Sequence, residues 1–242
     1  MQNRKVLMEN INIVFVAAVL ILLFGMFNGL RKGFVRAVFS TFIIFASLAI
    51  AAFASPYGGK FLKSTPMYGF IHEQVQNVVT PEIEATADTA SGQIDAIKQL
   101  PFPDSIKESL IENNNGKIYE ALGITDFAVY IADYITMMII KAMAFVGLFI
   151  LSFIVLKIVE VFLNAVVSLP VLNGLNKLGG ILFGCVNGLM TIWFFFIIIT
   201  VFAGTSWGVK VFEQINSSVL LSFLYNNNYL MAIIFNIGKL LM

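Results

Sequence analysis

Long stretches without a charged side chain constrain this chain more than any other feature. A helix needs about 20 apolar residues to cross about 30 Å of hydrocarbon. Ile11–Leu30, Phe34–Ala54 and Ile181–Ala203 each reach that length. The first holds Asn12 and Asn28 near its ends, the second holds Arg36 near its start, and the third has no charge. Hydrophobic residues make up 59% of the 242 and charged residues only 12%, against roughly 25% charged in an average soluble domain. A soluble globule cannot hide that much apolar surface, so an all-α, polytopic membrane protein is expected.

Charge and rare residues narrow the function classes. Fifteen basic and fourteen acidic residues leave a net charge of +1, which gives no field to gather a polyanion, so no nucleic-acid partner is expected. The chain has one cysteine, Cys185, and one histidine, His72. A disulfide within the chain and a Cys/His metal site therefore cannot be built. No cofactor and no catalytic residue are expected. His72 reads as a surface loop residue and Cys185 as a small buried apolar one.

The region Phe127–Val167 is about forty residues, too long for one crossing and awkward for two. A charge at the bilayer centre costs roughly 2.5–3.5 kcal/mol, which places the crossing at 142–162, with Lys141 at one interface and Lys157 snorkelling to the other. Lys157 and Glu160, three apart, can partly neutralise each other. Residues 127–141 then form an amphipathic interfacial helix, started by Thr125-Asp126. Four transmembrane helices result, at 11–30, 34–54, 142–162 and 181–203.

Arg31, Lys32 and Arg36 crowd the first hairpin, and Lys157 and Lys177 face only Glu160 in the connection after the third span. The positive-inside rule makes both cytoplasmic, with both termini outside, although Arg4 and Lys5 argue weakly the other way. The loop 55–126 is then external, with ten acids against five bases. Thr80-Pro81-Glu82 reads as a helix start, with helical spacing on to Leu100. Ser105-Ile106-Lys107-Glu108 reads as a capping box, and Asn113-Asn114-Asn115-Gly116 as the end of that helix. These short helices are expected to pack on the membrane domain or lie on its surface. The tail 204–242 is expected to hold an interfacial or re-entrant helix over Tyr229–Met242. Ala52-Phe53-Ala54-Ser55 has the form of a signal cleavage site but follows a second apolar run, so it is read as uncleaved.

Glycines carry the sharpest pattern. Gly180, Gly184 and Gly188 recur every four residues, as do Gly25, Gly29 and Gly33. Each set makes a flat stripe where another backbone can approach closely. Static helix packing is the expected use; a seam that moves or conducts is the functional alternative. Pro170, Asn173, Gly174 and Asn176 mark the turn before the second set. A phosphate-binding loop is excluded, because no Gly-Lys-Ser/Thr occurs there.

Two segments together, Asn28-Gly29-Leu30-Arg31-Lys32-Gly33-Phe34-Val35-Arg36 and Leu175-Asn176-Lys177-Leu178-Gly179-Gly180 leading into Gly184 and Gly188, resemble the colicin V production (CvpA) family of bacterial inner-membrane proteins. The resemblance covers roughly Ile11–Leu224, without the loop Tyr57–Glu120. It implies a multi-spanning cytoplasmic-membrane protein tied to toxin production or export, with no active-site residues to carry over. The basic positions Arg31, Lys32, Arg36 and Lys177 could also meet anionic headgroups or a partner.

Three functions follow as alternatives. A membrane scaffold or accessory protein in toxin export or envelope maintenance needs no catalytic group. Its partners would be the lipid bilayer, export or envelope membrane proteins, and other copies in a homo-oligomer. A small channel or transporter would use Ser40, Thr41, Ser47, Ser152, Asn187 and Thr191. A membrane enzyme would rest on Asp133, whose plain reading is the wet face of the interfacial helix.

Overall fold

The computed structural model describes residues 12–83, 90–115, 126–164 and 175–232. Those residues form eight helices: α1 (Ile13–Lys63), α2 (Pro66–Ile83), α3 (Ala90–Gln99), α4 (Asp104–Asn113), α5 (Phe127–Asn164), α6 (Leu175–Val201), α7 (Ser206–Asn216) and α8 (Val219–Asn226). The all-α expectation holds. Three of the eight, α1, α5 and α6, are long and apolar enough to cross a membrane. The turn at Pro170, Asn173 and Gly174, the Thr125 start signal and the tail beyond 232 lie outside the described residues.

α1 starts where a side chain can satisfy a free amide: Asn12 Oδ1 accepts from Phe15 N at 2.8 Å. It breaks at Gly33, where φ is +74° and ψ 171°. Beyond the break it runs past the expected end at Ala54 to Lys63, with Lys60 and Lys63 in the last turn, the favourable end of the helix dipole. Both arms lie along α6. In the first, Gly25 faces Gly184 and Gly188; in the second, Thr41 meets Asn187. Gly25 and Thr41 each stand eight residues from Gly33, so the chain folds back there.

Residues 127–141 and 142–162 are one uninterrupted helix, α5. Asp126 Oδ1 does cap it, accepting from Val129 N at 3.1 Å. Its first half does not lie with one face open. Tyr130, Ile131, Ala132, Ile135, Thr136 and Ile139 are all buried, because α2 packs along it. Its second half shows Leu151, Ile154, Ile158 and Val161 to the outside, the pattern of a lipid-facing helix.

The described helices of the loop and the tail, α2, α3, α4, α7 and α8, build a packed cap at that end of α5. The Tyr130 hydroxyl donates to the Leu110 carbonyl at 2.8 Å. Phe102 meets Phe212 edge-on at 5.9 Å, and Phe212 meets Tyr225 likewise. Tyr225 in turn shares a 2.7 Å hydrogen bond with Thr200 of α6. Burial pushes the Tyr225 phenol well above its ordinary pKa, so it stays a neutral hydrogen-bonding group. Trp193 Nε1 donates to the Leu224 carbonyl, and the Asn228 amide donates back to the Trp193 carbonyl. Asn228 Oδ1 also accepts from Leu230 N and Met231 N.

Two local expectations are corrected. Thr80-Pro81-Glu82 begins no helix; residues 80–83 are the last turn of α2, which starts at Pro66. Ser105 and Glu108 make no capping box. α4 has Pro103 at its cap with no side-chain hydrogen bond, and the Ser105 amide donates instead to Asn226 Oδ1 of α8 at 3.1 Å. A tertiary contact takes the place of a local one. The end of α4 at Asn113 agrees with the asparagine run.

Phe102→Ala removes a ring with 0% exposure from the centre of the cap. It is expected to lower unfolding stability by about 3–5 kcal/mol. Phe53→Ala, at 82% exposure, should stay within about 0.5 kcal/mol. Denaturant titration in mixed micelles measures both; equal effects would contradict the cap.

Candidate functional site

The site grows from a backbone that only glycine tolerates. At φ +74° and ψ 171°, Gly33 occupies a region closed to residues with a Cβ. After the reversal the Phe34 amide needs a partner, and Asn176 Oδ1 accepts from it at 2.6 Å. Asn176 also fills the space where a Gly33 side chain would stand. The loop of α1 is therefore pinned to the start of α6. Arg31, Lys32 and Arg36 surround the break, and Lys177 follows Asn176; all four are exposed at this one end of the molecule.

Above the break the six predicted glycines come together. A Cβ on Gly25 would stand 2.5 Å from the Gly184 carbonyl oxygen and 3.1 Å from Gly188 Cα. One on Gly184 would stand 3.0 Å from both Gly25 C and Gly29 Cα, and one on Gly188 3.2 Å from Leu22 Cα. Gly29 and Gly180 would each drive a methyl into the other's carbonyl. These obstacles are backbone atoms, which cannot rotate aside. Beside them Phe34 packs edge-on against Phe183 at 5.4 Å.

The polar residues within the apolar segments are mostly spent on internal hydrogen bonds. Thr41 Oγ1 lies 2.9 Å from Asn187 Oδ1 and 2.8 Å from the Ala37 carbonyl. Ser152 donates toward the Ser47 and Phe149 carbonyls, Ser47 to Ile43, and Thr191 to Asn187. Such bonds satisfy groups that hydrocarbon cannot. Ser40 is different: it has no hydrogen-bond partner among the described residues and faces a groove of about 780 Å³ between the two arms, α5 and α6. Lys157 lines the same groove and pairs with Glu160 at 2.5 Å, as their spacing suggested.

A second cluster escaped the sequence. His72 is not a surface loop residue; it sits in α2 and is only about one-fifth exposed. Asp133 is not on a wet face. Tyr68 OH donates to Asp133 Oδ1 at 3.1 Å, and His72 Nδ1 stands 3.3 Å from that same oxygen and 3.3 Å from Thr136 Oγ1. The Thr136 proton goes to the Ala132 carbonyl. Both neighbours of Nδ1 are thus acceptors, so Nδ1 carries the hydrogen. Burial, then the Asp133 charge, pushes the Tyr68 phenol up to about 12. Tyr68 therefore stays a neutral donor, stacked on His72. Among the described residues no group of three or more His, Cys, Asp or Glu is placed to hold a metal. The signal for this cluster was Tyr68 and His72 at i and i+4, but their partner lies over sixty residues away.

Three long apolar helices with outward-facing aliphatic surfaces define a multi-pass membrane protein. The model of the Colicin V production protein family matches residues 121–228. Over that segment, which takes in α5 to α8 and is under half of the chain, the protein is similar to this family. α1 lies outside the match. Comparison with curated proteins and with solved structures gives no match.

Gly184→Leu is expected to separate the first arm from α6, because its side chain meets only backbone. The purified variant should unfold about 3 kcal/mol more easily. Wild-type stability in detergent would contradict the close contact.

Proposed function

We propose that this chain is a four-crossing protein of the bacterial inner membrane that serves as a scaffold or accessory component. α1 crosses twice, as a hairpin turning at Gly33, and α5 and α6 cross once each. Arg31, Lys32, Arg36 and Lys177 anchor the cytoplasmic face, and the cap built from α2, α3, α4, α7 and α8 faces outside. Gly25, Gly29, Gly33, Gly180, Gly184 and Gly188 act as the helix-packing motif. The observation that carries the reading is the backbone-on-backbone seam between α1 and α6, which suits a fixed platform for other membrane proteins. The family's name links it to colicin V production, so toxin production or export and envelope maintenance are the processes proposed. A homo-oligomer fits the same role.

A small channel or transporter subunit is the second reading, favoured by Ser40, Asn187 and Thr191 sharing one groove. Solute flux in proteoliposomes separates the two readings.

Topology is tested by thiol labelling in intact cells, in a background with Cys185 replaced by Ala. Ser91→Cys, at an exposed position of α3, should react with a membrane-impermeant reagent, and Lys177→Cys should react only after lysis. Protection of position 91 or ready labelling of position 177 would overturn the orientation.

A further inference from the structure

The groove beside the seam is built for an amphiphile. Its volume, about 780 Å³, lies within the roughly 300–1,000 Å³ usual for ligand sites. Its walls are mostly hydrocarbon, including Leu20 and Phe24, which are also exposed to the outside. Lys32 and Lys157 line it, and no carboxylate does. Lys32 has no ion-pair partner among the described residues. Lys157 spends one of its three donors on Glu160. Asn28 and Ser40 also line the groove, neither with a hydrogen-bond partner among the described residues.

These groups are sorted along the groove. Lys32 and Asn28 lie at the end near the Gly33 turn. Leu20 lies twelve residues up the same helix from Lys32, or about 18 Å away, which is the reach of one acyl chain. A free inorganic anion would leave the apolar wall unused, and a neutral lipid would leave the Lys32 ammonium without a counter-charge, Lys157 alone having one in Glu160.

We propose that this groove binds one anionic phospholipid, its phosphate held by Lys32 and Lys157 with Asn28 and Ser40 beside it, and one acyl chain laid along Leu20 and Phe24. Bound there, the lipid covers the open flank of the seam and couples the first arm to α5. The leaflet it comes from rests on the orientation proposed above; the binding itself does not.

Native mass spectrometry of the full chain tests this, after exchange into equimolar phosphatidylglycerol and phosphatidylcholine of identical acyl chains. The wild type is expected to retain one phosphatidylglycerol in preference to phosphatidylcholine. Lys32→Gln should cut that preference about fivefold, the weight of one cation against an anionic headgroup. Lys177→Gln, at the same end but outside the groove, should leave it unchanged. Ser40→Phe, which fills the groove, should abolish retention of both lipids. Equal retention of the two lipids by the wild type would overturn the proposal. So would equal losses in Lys32→Gln and Lys177→Gln, or a lipid-free dimer with a second copy seated on the groove.

Discussion

The reversal of α1 at Gly33 is the constraint on which the other contacts depend. One residue adopts a conformation that only glycine supports, and a side chain from α6, Asn176, satisfies the amide that the break exposes. That single clamp sets the height of both arms against α6. With the height fixed, Gly25 and Gly29 fall opposite Gly180, Gly184 and Gly188, and Thr41 falls opposite Asn187. A slip of four residues would put Ile21 where Gly25 now stands. In lipid, where hydrocarbon contact does not by itself favour helix association, close backbone packing is the main attraction left. The seam and the turn therefore support each other.

The opposite end of the molecule is held by different physics. There α2 packs along the first half of α5, and Tyr130 of α5 donates to α4, within one core that also holds Phe102, Phe212 and Tyr225. Asn12, at the start of α1, donates to the Gln214 carbonyl of α7. The start of the first arm is thereby tied to the cap. The cap and the seam are thus joined through the same helices.

Much of this was legible in the sequence, for identifiable reasons. Glycines at every fourth position announce a flat helix face, and charges around residues 31–36 announce a turn, because both signals are local. The Lys157–Glu160 pair was legible for the same reason. What the sequence concealed was every feature set by a distant partner. Asp133 and Lys141 read as interruptions of a crossing because their neighbours in sequence are apolar. Tyr68 and His72, brought in by α2, make Asp133 compatible with a buried helix. Ser105 and Glu108 match a capping pattern, yet Asn226 reaches the Ser105 amide first. The groove was likewise hidden, since it is lined from four separate segments, although its lone serine and its two lysines were each visible singly.

The most direct measurement is a pulsed spin-label distance between Ile13→Cys and Phe53→Cys in lipid bilayers, with Cys185 replaced by Ala. Both positions are exposed and each stands twenty residues from Gly33. A chain that reverses at Gly33 brings them to the same level, with a separation below about 30 Å. A continuous helix through residue 33 would hold them about 60 Å apart, and a distance near that value would contradict the account.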